Sequence, residues 1–232
     1  MENTIDFYFN PLFAEGTEFV LQNVRNVYSS DISKIFVWVD DDYIIKNEII
    51  DISRKHQATV IASSGKFTWC SSSNPSESKQ RLLEWCRRLQ NTAELSTAKW
   101  IMYLEDDVLV RGKVTQFPNT NAGINPGIVA SGGSIHLANT IRTIFQKYSN
   151  DELLEIMKPF PLYFAADRLL LKLYTDNGYE CSVLTELADG ISPEQTDKPV
   201  LHNIKTHYPS YWQEYRLFLD GKTNINPIES LI

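Results

Sequence analysis

Four short apolar runs, separated by stretches whose apolar residues recur every three or four positions, constrain this chain more than any other feature. Ile5–Phe9 (Ile-Asp-Phe-Tyr-Phe), Ile35–Val39 (Ile-Phe-Val-Trp-Val), Thr59–Ala62 and Trp100–Leu104 (Trp-Ile-Met-Tyr-Leu) are short and rich in aromatic and β-branched residues. Each is expected to be a strand. Between them, Val20/Val24/Val27, Ile45/Ile49/Ile52 and Leu82/Cys86/Leu89/Ala93 follow helical spacing. The third helix carries its own start signal: Asn74-Pro75-Ser76-Glu77 offers an N-cap, a proline at the first helical position and an acid three residues after the cap. Strand–helix alternation over roughly the first 105 residues calls for crossover connections, hence a parallel sheet with helices on both faces. The unbroken run Ile35–Val39 suits a central strand buried on both sides.

The second half is less regular. Residues 112–127 read as a loop, and Ile128–Ala130 is a short apolar stretch. Leu137, Ile141, Ile144 and Tyr148 mark a helix after Ser131-Gly132-Gly133-Ser134. Asp167–Asn177 reads as a helix stopped by Gly178, with a strand near Glu180–Leu184. Residues 189–210, rich in Pro, Ser, Thr and His, form a long irregular segment of the kind that often carries function. The 232 residues fit one domain.

Charge then narrows the function. The 22 basic against 29 acidic residues give −7, whereas a phosphate-backbone binder needs a basic surplus, so no nucleic acid partner is expected. Cys70, Cys86 and Cys181 form no close pair, which favours a reducing compartment. The first residues lack signal-peptide character and no long apolar run exists, so a cytoplasmic protein without a transmembrane segment is expected. Two acidic triplets, Asp40-Asp41-Asp42 and Glu105-Asp106-Asp107, directly follow two of the strand runs and contribute six of the 29 acids. All strand carboxyl ends of a parallel sheet open on one edge, so both triplets are expected at one crevice. Adjacent carboxylates repel, and a divalent cation relieves that conflict. Glu105-x-Asp107 offers hard oxygen donors suited to Mg²⁺ or Mn²⁺, and a diphosphate is the matching substrate feature. Ordinary solvated turn acids would explain one triplet more readily than two.

With these residues in place, the chain resembles the GT-A-type nucleotide-sugar glycosyltransferases from Ile5 to about Leu184, in order of elements more than as a string. The resemblance implies an α/β, GT-A-like (Rossmann-type) fold with a mostly parallel central sheet flanked by helices. Residues 1–107 would be its nucleotide-binding half and 108–232 its acceptor-binding half. Asn10-Pro11 through Glu15 occupy the nucleotide-holding first strand–helix junction. Asp40, Asp41 or Asp42 takes the place of the base-contacting acid. Trp-Ile-Met-Tyr-Leu-Glu105-Asp106-Asp107 matches the family's acid-x-acid motif, with Asp107 the direct metal ligand and Glu105 where Asp is usual, at a ribose or metal contact. Gly132 and Gly133 would let backbone approach an anion at a helix start, with a plain capped loop as the alternative. Asp167 matches the catalytic base of inverting members, with a helix cap as the alternative. His202 or His207 would join the metal and Lys205 the diphosphate; spacing does not choose between the histidines. Lys79 and Arg81 lie within reach of a phosphate or on a solvated helix face. His56 and His136 receive no role. The implied reaction is inverting, Mn²⁺- or Mg²⁺-dependent transfer from a UDP-sugar to a hydroxyl on a glycan, as in compact bacterial or large-DNA-virus enzymes.

Two rivals stand beside this. Asp40-x-Asp42, Ser63 or Ser64, and Asp106-Asp107 mimic the motifs of a haloacid-dehalogenase-like phosphatase, although Tyr43 replaces a usually small residue. A glycosyltransferase-like domain that binds a glycan or partner without catalysis is the other.

Overall fold

In a computed structural model the chain is described over residues 3–11, 14–41, 46–64, 75–126, 130–159, 165–191 and 193–202, with 75–78 and 165–167 described as backbone only. The first half follows the expected alternation: β1 (Ile5–Phe9), α1 (Ala14–Val27), β2 (Ile35–Asp40), α2 (Lys46–Lys55), β3 (Thr59–Ser63), α3 (Pro75–Leu95) and β4 (Trp100–Leu104). These strands pair in parallel in the order β3-β2-β1-β4. Every residue of β1, β2 and β4 is buried, which is why their sequences are nearly continuous in apolar residues. Side chains alternate between faces. Ile5, Phe7 and Phe9 pack with α1 and α2, while Tyr8, Trp38, Ile101 and Tyr103 face α3.

The same second face is covered by α4 (Ala138–Gln146), α5 (Asn150–Met157) and α6 (Ala165–Asp176). Helix α5 opens with a capping box in which Ser149 and Glu152 satisfy each other's backbone N–H groups. Gly178 ends the α6 region at φ +70, a left-handed conformation that glycine adopts without strain.

The structure corrects the second half in several respects, among them that residues 112–127, expected to be a loop, contain the strand Ala122–Ile124. Ser131-Gly132-Gly133-Ser134 does not lead directly into a helix. It leads into β7 (Ile135–Leu137), which pairs antiparallel with β4, and α4 begins only at Ala138. β6 (Ala122–Ile124) and β8 (Cys181–Val183) complete a seven-stranded sheet of order β3-β2-β1-β4-β7-β6-β8. A second, three-stranded sheet of order β5-β10-β9 joins β5 (Leu109–Val110), β10 (Val200–His202) and β9 (Leu187–Asp189). The segment expected to be irregular thus contributes β10, which pairs antiparallel with β5 and parallel with β9. These strands are two or three residues long, too short for a periodicity to show. Among the described residues no helix is long and apolar enough to cross a membrane.

Candidate metal centre

The site begins where β4 stops. The Val108 N–H donates to the Glu105 carbonyl at 3.1 Å and closes a tight turn. Across this turn the three acids part company. Asp106 lies against the first turn of α1: a Cβ placed on Gly16 would stand 2.8 Å from Asp106 Oδ1. The positive end of a helix favours a carboxylate there. Glu105 and Asp107 turn instead toward His202.

Strand pairing delivers that histidine. β5 follows the turn at once and pairs with β10 through Leu109↔Leu201 and Val110↔Val200. One further step in this register sets His202 beside Val108. Glu105, Asp107 and His202 then each present one ligand atom, all within 4.8 Å of one another. His202 Nε2 is 3.3 Å from Glu105 Oε2 and 3.9 Å from Asp107 Oδ1, while Nδ1 is 2.7 Å from Asp189 Oδ1. Glu105 Oε1 also accepts the Gly132 N–H at 3.1 Å. Its longer side chain therefore spans from the glycine loop to the histidine.

Gly132 is required by this packing. An added Cβ would meet His202 Cδ2 and Val108 Cγ2 at 2.8 Å, and Glu105 Cγ at 3.1 Å. Gly133 sits at φ +83, where a Cβ would be 2.7 Å from Leu187 Cδ1. The two glycines, expected beside a ligand at a helix start, have the protein's own side chains as their nearest neighbours.

Electrostatically the cluster favours a cation. Asp107 is fully buried, both its carboxylate oxygens included, and His202 is 5% exposed. Burial alone would lower the His202 pKa. The charge of Glu105, the hydrogen bonds to Asp189 and Glu105 and the charge of Asp107 outweigh it and raise the value to about 10. An imidazolium thus balances the two carboxylates at neutral pH. Two carboxylates and one imidazole converging on a point are also a fitting donor set for Mn²⁺ or Mg²⁺.

The other triplet is organised differently. Asp40 is buried, and its Oδ1 accepts from Arg88 Nη2 at 2.5 Å. Arg88, 1% exposed, also donates to Glu84 Oε1 at 2.9 Å and to Asn10 Oδ1 at 3.3 Å, with its guanidinium 5.9 Å from the Trp38 ring. Asp41 is exposed, 4.0 Å from Lys46 Nζ. Among the described acids of this triplet, Asp40 is thus held by a buried cation from α3, while Asp41 faces outward. Ser63, which the phosphatase reading invokes beside Asp40, donates to Glu84 at 2.5 Å.

Asn10 and Pro11 are buried at the end of β1, and Lys79 and Arg81 are half-buried on α3. Asp167 falls in the first turn of α6, with its side chain outside the description. Asp42, Lys205 and His207 lie outside the described residues. His136 is buried between Ser134 Oγ and Tyr174 Oη, both at 3.0 Å, and burial pushes its pKa down to about 3, so it is a neutral core residue. His56 pairs with Glu18 at 2.9 Å. Sequence reasoning missed Arg88, one of several cations on a helix, and Asp189, which lies at the edge of the irregular segment.

No protein-family model and no curated protein matches the chain. Solved structures do resemble it. The apo form of the glycosyltransferase GlyE from Streptococcus pneumoniae TIGR4 superposes with a TM-score of 0.57 at 13% identity, covering 94% of this chain and 60% of that one. The galactosyltransferase LgtC, solved with donor and acceptor sugar analogues, gives 0.50 at 10% identity and 86% of each chain. Mouse xyloside xylosyltransferase 1 gives 0.50 at 8% identity, over 88% of this chain and 98% of that one. The chain spans about 60% of the length of GlyE. The protein has the GT-A-type fold of these glycosyltransferases, with its mostly parallel sheet flanked by helices.

Proposed function

We propose that this chain is a metal-dependent glycosyltransferase that moves a sugar from a nucleoside diphosphate donor, UDP in the first instance, to a hydroxyl of a glycan acceptor. One observation carries the reading: Glu105, Asp107 and His202 meet at the carboxyl end of a parallel strand in a GT-A-type fold. Ligands of open α/β sheets bind at that edge. The names of GlyE, LgtC and the xylosyltransferase, and the sugar analogues bound to LgtC, point the same way.

In this reading Asp107, Glu105 and His202 hold Mn²⁺ or Mg²⁺, with His207 as the other histidine candidate. When bound, the ion supplies positive charge to the leaving diphosphate. Asn10, Pro11 and one of Asp40, Asp41 and Asp42 hold the nucleoside. Asp106, Lys79 and Lys205 complete the donor site. Asp167 takes the proton from the acceptor hydroxyl as that oxygen attacks the anomeric carbon. The carbon–oxygen bond to the diphosphate breaks, and the configuration inverts. Residues 1–107 supply most of the donor side, and 108–232, apart from His202 or His207 and Lys205, form the acceptor side.

Calorimetric titration with UDP, with and without Mn²⁺, tests this directly. Binding that needs the metal, and that Asp107→Ala abolishes without loss of the circular dichroism spectrum, is the expected result. Metal-independent UDP binding, or none, overturns it.

A further inference from the structure

We propose that Asp189 is a positioning residue that holds the His202 imidazole with Nε2 directed at Glu105 and Asp107. The proposal rests on the metal-centre reading only for what Nε2 does, not for how the ring is held.

β9 and β10 run parallel, and Asp189 is the register partner of His202. Paired positions share one face of a sheet, so the two side chains stand together. Asp189 Oδ1 lies 2.7 Å from His202 Nδ1, against 3.5 Å for Ser131 Oγ, so the carboxylate is the close partner. With Nδ1 donating to Asp189, Nε2 is the nitrogen that faces Glu105 at 3.3 Å and Asp107 at 3.9 Å. The hydrogen bond made by one imidazole nitrogen decides which tautomer and orientation the other presents. Little water reaches a ring 5% exposed to take over this task.

The carboxylate is not needed to hold the strands together. Three backbone pairs join β9 to β10, and the Gly190 N–H donates to the His202 carbonyl at 3.1 Å. The Asp189 side chain is itself 26% exposed, so a neutral replacement is compatible with folding. Outer partners of this kind typically change metal affinity by about 10- to 100-fold when removed.

The test compares the full chain with Asp189→Ala and Asp189→Asn. The chain has four histidines, and His202→Gln identifies the relevant ring signal in a ¹⁵N-histidine-labelled sample. In the metal-free wild type, a downfield Nδ1 proton protected from exchange is expected. It should vanish in Asp189→Ala and persist in Asp189→Asn, whose amide oxygen can still accept. Mn²⁺ affinity, read by electron paramagnetic resonance, should fall about 10- to 100-fold in Asp189→Ala, and less in Asp189→Asn, at unchanged circular dichroism. A protected Nδ1 proton that survives in Asp189→Ala overturns the proposal, as does wild-type Mn²⁺ affinity in that variant. Absence of Mn²⁺ binding by the wild type overturns the metal-centre reading instead, and the ring signal still decides for or against Asp189.

Discussion

Mn²⁺ binding to this protein should tighten by about tenfold for each pH unit between pH 6 and 9. In the metal-free protein His202 has its pKa raised to about 10: burial opposes the charge, but Glu105, Asp189 and Asp107 outweigh burial. The ring is therefore protonated throughout that range, whereas an imidazole that ligates a metal must be neutral. Each ion bound at this site displaces one proton, and one proton per ion is a slope of about 1.36 kcal/mol per pH unit. At pH 7, about three units below the His202 value, the proton competes with the metal by roughly a thousandfold, or about 4 kcal/mol. Calorimetry in two buffers of different ionisation enthalpy counts the released protons, and the same titration across pH gives the slope. His202→Gln should weaken binding at high pH and flatten the curve. The sign for stability is opposite to that for metal affinity. A raised pKa stabilises the metal-free fold fully below the ordinary histidine value near 6.5, and that stabilisation is lost as pH climbs through 10. An Mn²⁺ affinity independent of pH, with no proton released, would refute the placement of His202 among the ligands.

Three further outcomes are expected. Gly132→Ala places a methyl 2.8 Å from His202 Cδ2 and Val108 Cγ2; it should cost about 1–3 kcal/mol in urea denaturation and weaken Mn²⁺ binding, and wild-type values for both would contradict the packing. Arg88→Met leaves Asp40 without its buried cation and should destabilise by about 3–5 kcal/mol, measured by the same unfolding midpoint; a shift under 1 kcal/mol would mean that the pair is not buried as described. Asp167→Asn should depress turnover far more than donor binding, and the product anomer followed by NMR should be inverted; retention would remove Asp167 from the base role.

What was legible in the sequence is what depends on local pattern. β1, β2 and β4 announce themselves because strands buried on both faces must be apolar throughout, and α3 because Pro75 marks its start. That Glu105 and Asp107 stand at a sheet edge follows from their place directly after a strand run. Ser149 and Glu152 carried a legible capping signal for α5 that periodicity alone did not use.

The tertiary structure decided the rest. β7, β9 and β10 are three residues each and become strands through partners far away in the chain. Neither the separation of Asp106 from Glu105 and Asp107 nor the approach of His202 can be read from spacing. The first is set by a helix N-terminus supplied by α1, the second by the β5–β10 register. Arg88 is one cation among many until the fold buries it against Asp40. Composition and periodicity register how a residue meets its neighbours along the chain. Which charges end up sharing a low-dielectric space depends on packing between distant segments. There, Glu105 and Asp107 prove to meet His202, while Asp40 is paired with Arg88.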